Sequence, residues 1–333
     1  MIKMIKRILF STVLLFSIPL ALRAEEKFIA SDAGVGGGHG PSWICQDLKI
    51  FQKHGLNVDL VFVTGATRGT QALLGGSTDF YLGDAISPVP AILRGGDMVM
   101  IGAFENFAPG GLLARKEIRN PLELQGKRIG IAGFGGSNEL SVVLALKKWN
   151  LPSDSVTFLQ SGSSADRLSA LFSGALDAAP LPPPLSFAAA KRGMNVLVDF
   201  ADIPAVPQGA IAVRRSFLEK NRDKVKRFME AYSEAVYRFM TDKPTAIEIY
   251  RKWLRQSDPK LLDETYDYFR RRFSLPPRIS RGEGMQLALQ MIARKVSPAK
   301  KEPSVDQIID ESVTDEMERE GFFKRFVVNT ENK

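Results

Sequence analysis

The chain repeats itself, and the repeat fixes what it can fold into. Ala33-Gly34-Val35-Gly36-Gly37 returns as Ala132-Gly133-Phe134-Gly135-Gly136, an offset of 99. Ala72-Leu73-Leu74-x-Gly76-x-x-Asp79 returns as Ala170-Leu171-Phe172-x-Gly174-x-x-Asp177, and Arg94-Gly95 as Arg192-Gly193, both at an offset of 98. Glycine and alanine are common, so one match alone means little. Three at nearly one spacing, in one order, signal two copies of a single architectural unit. The length of 333 residues agrees, because single cores stop growing near about 250–300 residues.

Each copy alternates strand and helix signals. In the first, strands are expected at 28–31, 58–63, 80–82 and 98–101, with helices at 42–54, 67–74 and 86–94. Ile44, Leu48 and Phe51 recur at helical spacing before Gly55, a natural helix stop. In the second, strands are expected at 128–132, 156–159, 177–179 and 196–198, with helices at 137–149, 164–172 and 185–191. Ser137 suits an N-cap, and Leu140, Val143 and Leu144 share a face. This order predicts an α/β chain of two lobes, each a mostly parallel sheet flanked by helices.

The remainder changes character. Residues 209–213 read as a strand returning to the first lobe, and the chain beyond them reads as helical. Val225, Phe228, Met229, Tyr232, Val236 and Phe239 trace one helical face. Further helices are expected at 244–255, 259–273, 281–296 and 305–311, packed on the first lobe because they have no sheet of their own. The expected boundaries are 1–24 for a signal peptide, 25–109 for the first part of lobe 1, 110–204 for lobe 2, and 205–333 for the return to lobe 1 and its C-terminal helices. Residues from Val328 onward are expected to be loose.

The signal reading rests on Lys3, Lys6 and Arg7, then an uncharged apolar run from Ile8 to Leu22, then Ala24 before Glu25-Glu26-Lys27. The run is short for a membrane span, which needs about 20 residues; an uncleaved anchor is the competing reading. Loss of this segment would bring the formal charge from +8 to +4, since it removes Lys3, Lys6, Arg7 and Arg23. A charge that small, with acidic residues interspersed and no aromatic-basic interleaving, points away from nucleic acid. Cys45 is the one cysteine, so no internal disulfide can form.

Open α/β sheets bind ligands outside the carboxyl ends of their strands. The two glycine-rich loops fall there, one per lobe. Their N–H groups and the helix N-termini behind them suit a carboxylate, sulfonate, nitrate or phosphate. The competing view is that these glycines only make tight turns. Neither loop has the third glycine of a dinucleotide fingerprint, and no Gly-Lys-Ser or Gly-Lys-Thr phosphate loop occurs. With His39 and His54 the only histidines, no zinc-ligand spacing or Gly-x-Ser-x-Gly elbow is present, and neither catalytic residues, metal nor cofactor are expected.

The residues expected to face a ligand are Gly37, Gly38 and His39 in the first loop, and Gly135, Gly136 and Ser137 in the second. Trp43 could stack on a flat solute or serve the core. Thr67 and Arg68 open the second helix, where Arg68 could pair with an anion. Asp84 and Ala85 follow a strand end; Asp84 could cap the next helix or accept from a ligand amine. Asn106 and Phe107 lie in the first passage between lobes.

Four stretches carry a family resemblance. They are Trp43 to Gly55; Gly69-Thr70-Gln71-Ala72-Leu73-Leu74-Gly75-Gly76-Ser77-Thr78-Asp79-Phe80; Leu122-Glu123-Leu124-Gln125-Gly126-Lys127-Arg128-Ile129-Gly130-Ile131; and Leu171-Phe172-Ser173-Gly174-Ala175-Leu176-Asp177-Ala178. The chain resembles the type II periplasmic binding proteins of the taurine, sulfonate, nitrate and thiamine-pyrimidine group. The resemblance implies two lobes joined by crossovers near 107–113 and 201–208. It also implies a small-molecule solute between them, hinge closure, and delivery by a periplasmic monomer to an ABC permease in the inner membrane. The cysteine-rich iron-binding run of the group's eukaryotic pyrimidine-synthesising relatives has no counterpart here. An enzyme of the cofactor-biosynthetic lyase kind and a ligand-sensing partner of a membrane kinase are the rival readings.

Overall fold

The computed structural model describes residues 26–296 and 303–326. The expected signal peptide and the segment from Val328 onward lie outside the described residues. Ten strands occur among the described residues: β1 (Lys27–Asp32), β2 (Asn57–Phe62), β3 (Phe80–Gly83), β4 (Val99–Glu105), β5 (Gly111–Ala114), β6 (Arg128–Ile131), β7 (Thr157–Gln160), β8 (Ala178–Leu181), β9 (Asn195–Asp199) and β10 (Gln208–Val213). They form two five-stranded sheets with the orders β2-β1-β3-β10-β4 and β7-β6-β8-β5-β9.

The two orders are the same pattern. β1 pairs in parallel with β2 and β3, and β6 with β7 and β8. One reversed strand then separates the third and fourth members: β10 between β3 and β4, β5 between β8 and β9. Four strands of each sheet therefore run one way and one runs against them. The repeated units are β1–β4 and β6–β9; each reversed strand enters directly after a crossover from the other sheet.

The repeat extends to side chains. Asp79 Oδ2 accepts from Ile29 N at 2.9 Å, and Asp177 Oδ2 from Arg128 N at 2.9 Å. Both carboxylates thus tie the loop before the third strand to the start of the first. The Arg128 guanidinium also holds Asp177 through Nε and Nη2, and these hydrogen bonds, working against partial burial, lower the Asp177 pKa.

β5 is a strand that the sequence does not announce. Its four residues, Gly-Leu-Leu-Ala, are all buried, so they lack the alternation that marks a half-exposed strand. The sequence expectation of a helix at 86–94 shortens to Val89–Leu93, because Asp84 organises the preceding residues into a turn. The expected helix at 305–311 is instead a 3-10 turn at Val305–Gln307, with an unexpected helix after it at Ser312–Arg319.

The helix Arg222–Thr241 forms as its pattern predicts, and Val225, Phe228, Met229, Tyr232, Val236 and Phe239 are all buried. Phe228 stacks on Phe80 of β3 at 3.8 Å between ring centroids and on Phe51 at 5.0 Å. The C-terminal helices Lys243–Trp253 and Ser312–Arg319 pack on the same side. The first lobe thus carries a much larger core than a sheet of four- to seven-residue strands would supply alone. Among the described residues, no helix is long and apolar enough to cross a membrane.

Candidate functional site

A cavity of about 210 Å³ lies between the two sheets, bounded by the carboxyl ends of their parallel strands. One water needs only about 10–15 Å³ on the same measure, so an organic solute fits. Lobe 1 supplies the loop after β1, the turn after β2, the end of β3 and Glu105 at the end of β4. Lobe 2 supplies the loop after β6, the segment from Gln160 to Arg167 and the end of β8. The start of β10, with Tyr232 and Phe269 from the C-terminal helices, closes the inner wall.

In the first loop, packing decides the glycines. A Cβ on Gly37 would fall 2.3 Å from the Phe269 ring, so this residue is small because the helix Pro259–Arg270 presses against it. Gly37 N donates to Pro183 O of the opposite lobe at 3.3 Å, and Gly37 O accepts from Tyr250 Oη at 2.5 Å. His39 turns its Nδ1 to the carboxylate of Asp32, the last residue of β1. Burial disfavours the imidazolium, yet the Asp32 charge and hydrogen bond, with Glu105 farther off, outweigh it and raise the His39 pKa.

The second loop meets a built-in anion. Asp84 Oδ1 accepts from Ile86 N at 2.8 Å and Ser87 N at 2.7 Å, and Oδ2 accepts from Ser87 Oγ at 3.0 Å. The Ser137 N–H, first in the helix Ser137–Lys148, also reaches Asp84. Burial raises the Asp84 pKa, and these N–H and hydroxyl donors counteract it. The sequence places a ligand anion at this helix N-terminus; the protein puts its own carboxylate there. A Cβ on Gly136 would come within 3.2 Å of Ser87 Oγ, so glycine lets the lobes approach. Thr67 Oγ1 donates across the same gap to Phe134 O at 3.4 Å.

One buried cation facing the cavity is a residue that sequence reasoning does not single out. Arg167 is 2 % exposed and lines the cavity. Its Nε donates to Pro180 O at 3.2 Å, Nη1 to Gly162 O at 2.7 Å and Nη2 to Ser164 Oγ at 3.1 Å. All three partners are neutral. Burial lowers its pKa to about 10, with Asp166 opposing, so it remains a cation at neutral pH. A buried guanidinium without a carboxylate partner carries an uncompensated desolvation cost, which a bound anion would relieve.

Glu105 is the second feature. It is 2 % exposed, and its Oε1 has no hydrogen-bond partner among the described residues. Burial pushes its pKa up to about 8, against the pull of Arg272 and His39. Asn138 Oδ1, Ser141 Oγ and Gln208 Nε2 are likewise buried without partners, and all three residues line the cavity. Buried polar atoms are nearly always satisfied, so this concentration marks the cavity as a place where a ligand completes the structure.

Of the residues expected from sequence, Gly38, His39, Thr67, Arg68, Asp84, Gly136 and Ser137 line the cavity. Six do not. Trp43 is 3 % exposed in the core, stacked on Trp253 at 5.7 Å and 3°. Ala85 is buried and donates its N–H to Pro207 O at 3.1 Å. Asn106 is engaged with the C-terminal segment, Nδ2 to Arg278 O and Oδ1 from Ser280 N, both at 2.7 Å. Phe107 is 40 % exposed and lies outside the lining. Gly37 packs on Phe269, and Gly135 turns outward with φ of 76°. Arg167 does leave a signal: Ala66-Thr67-Arg68 aligns with Ala165-Asp166-Arg167 at an offset of 99.

The sequence model described as NMT1/THI5 like matches residues 38–247. The chain belongs to the NMT1/THI5-like family. Relatives named as binding proteins in Brucella abortus, Brucella suis and Brucella melitensis are 28 % identical over 228 residues, covering 66 % of this chain and 69 % of theirs. Among solved structures, a Bordetella bronchiseptica protein superposes with a TM-score of 0.77 at 20 % identity, covering 89 % of this chain and 98 % of that one. The periplasmic aliphatic sulphonate binding protein SsuA of Escherichia coli gives 0.69 at 20 % identity, over 87 % and 99 %. The periplasmic nitrate-binding protein NrtA of Synechocystis gives 0.66 at 14 %, over 92 % and 89 %. The fold of this NMT1/THI5-like chain is thus the two-lobed α/β fold of the periplasmic binding proteins, as the resemblance implied.

Proposed function

We propose that this NMT1/THI5-like chain is the extracytoplasmic solute-binding component of an ABC importer, and that it captures a small anionic organic solute between its lobes. The observation that carries the reading is Arg167: a buried cation facing an interlobe cavity and, among the described residues, hydrogen-bonded only to neutral groups. The names of the relatives support a binding role, and the basic and apolar N-terminal residues support export to the periplasm. The lobes in this reading are 25–109 with 205–333, and 110–204. The segments between β4 and β5 and between β9 and β10 are the hinges. Ligand touching both lobes stabilises the closed form, which then docks on a permease as a monomer.

The test is a thermal-shift panel of sulfonates, carboxylates, nitrate and pyrimidines on protein stripped of copurified solute. A cognate ligand at 100 times its Kd stabilises by about 2.7 kcal/mol. A flat panel, or equal shifts in an Arg167→Met variant, rejects the proposal.

A further inference from the structure

We propose that Glu105 is the specificity-determining residue for a protonated nitrogen on the solute, so that the favoured ligand carries an ammonium or similar cation besides its acidic group. This rests on the anion reading of Arg167 and adds a second, opposite pole to it. The two poles come from different lobes: Arg167 lies beyond β7 in lobe 2, whereas Glu105 ends β4 in lobe 1. A ligand that spans them needs both lobes at once, which is what closure requires.

The geometry around Glu105 leaves it committed to nothing. Oε1 is buried without a donor. A Cβ at Gly38 would come within 3.3 Å of Oε2, so glycine keeps that side of the carboxyl open. The ionisable groups that face it come from every neighbouring element. His39 lies beyond β1 and is already held by Asp32. Tyr232, Tyr250 and Tyr268 project from the three packed helices. Arg272, beyond the helix Pro259–Arg270, lies over the Tyr268 ring at 3.9 Å and is 3.9 Å from Asp199. No cation forms an ion pair with Glu105 among the described residues. A buried acid in this position holds its proton until a cation replaces it.

An ammonium ligand arrives protonated; Glu105 gives its proton to the buffer and its carboxylate pairs with the incoming nitrogen. Capture therefore releases a proton below about pH 8, where the empty site holds Glu105 in the acid form, and affinity rises with pH until that point and then levels.

Two probe pairs that differ in one amino group test this: β-alanine against propionate, and 2-aminoethanesulfonate against ethanesulfonate. Titration calorimetry from pH 6 to 9, in two buffers of unlike ionisation heat, reads both affinity and proton release. The expected result is at least tenfold tighter binding of the amino member, with proton release below pH 8. In Glu105→Gln, checked for an unchanged far-UV spectrum and a cooperative melt, that preference and its pH dependence disappear. Equal or tighter binding of the des-amino members by the unaltered protein overturns the Glu105 role and leaves the Arg167 reading standing. Binding of none of the four overturns the Glu105 role, and the Arg167 reading is then decided by the wider thermal panel.

Discussion

The Asp84 carboxylate of the first lobe lies against the backbone N–H of Ser137, the first residue of a helix in the second lobe. The carboxylate that ends one turn thus sits where the other lobe's helix offers its positive end. The contact joins lobes without any ligand, and it sets a baseline for how readily the cleft closes.

Asp84→Ala should open the molecule. It removes the acceptor of the buried Ile86 and Ser87 N–H groups, and leaving a buried donor unsatisfied costs about 1–3 kcal/mol. Small-angle scattering of ligand-free protein should show a larger radius of gyration than the unaltered chain, with a lower melting temperature. An unchanged radius would show that Asp84 serves the turn alone.

Arg167→Met should weaken binding of an anionic ligand by tenfold or more, because the methionine cannot donate to an anion. Arg167→Lys should not restore it, since a single ammonium cannot reach Pro180 O, Gly162 O and Ser164 Oγ together. Calorimetry with whichever anion scores in the thermal panel checks both. Full rescue by lysine would mean that charge alone matters there.

Stability of the ligand-free protein should fall as pH rises from about 5 to 8. Glu105 has a folded pKa above its unfolded value, so the folded state holds more protons between the two, and deprotonation costs stability. His39 and His54 act in the same direction: their pKa values are raised on folding, so their contribution is present below the unfolded pKa and is lost as pH climbs through the folded one. The slope contributed by one proton is at most about 1.4 kcal/mol per pH unit. Glu105→Gln should remove its share and leave the histidine share. A melting temperature that is flat across this range in the unaltered protein contradicts the burial of Glu105.

Trp43→Ala should destabilise by about 3–5 kcal/mol, the cost of emptying a large aromatic site in a core. Trp43→Phe should melt closer to the parent and keep its affinity for solute. Denaturant melts separate the two, and a large affinity loss in Trp43→Phe would return the tryptophan to the cleft.

The alternation of strand and helix is legible because apolar periodicity is local, and the repeat tells that the alternation occurs twice. The features that are not legible depend on distant chain. Arg68 and Arg167 hold equivalent places in the repeat, yet Arg68 is exposed and Arg167 buried; the difference is made by how Pro180 O and Gly162 O fold around the second. Applied one step further, the repeat leads from Arg68 to Arg167. Glu105, like Asp84, leaves room for a ligand amine in the sequence, but its burial is not legible, because Tyr232 and Phe269, which line the same cavity, come more than a hundred positions later. Asp84 is recognisable as a potential cap, but its reach to Ser137 requires knowing that the lobes face each other. Trp43 is open between stacking on a solute and packing in the core, and only the position of Trp253 decides.

β3 and β4 share no direct pairing; only β10, arriving at residue 208, bridges them. The strands of the other sheet, β5 to β9, lie in one uninterrupted stretch of chain. A polypeptide emerging from its N-terminus therefore has everything needed to complete the later sheet while the earlier one still waits, split down the middle, for its missing piece. Any fragment ending before Gln208 leaves that wound open, whereas an excised middle portion keeps a whole sheet.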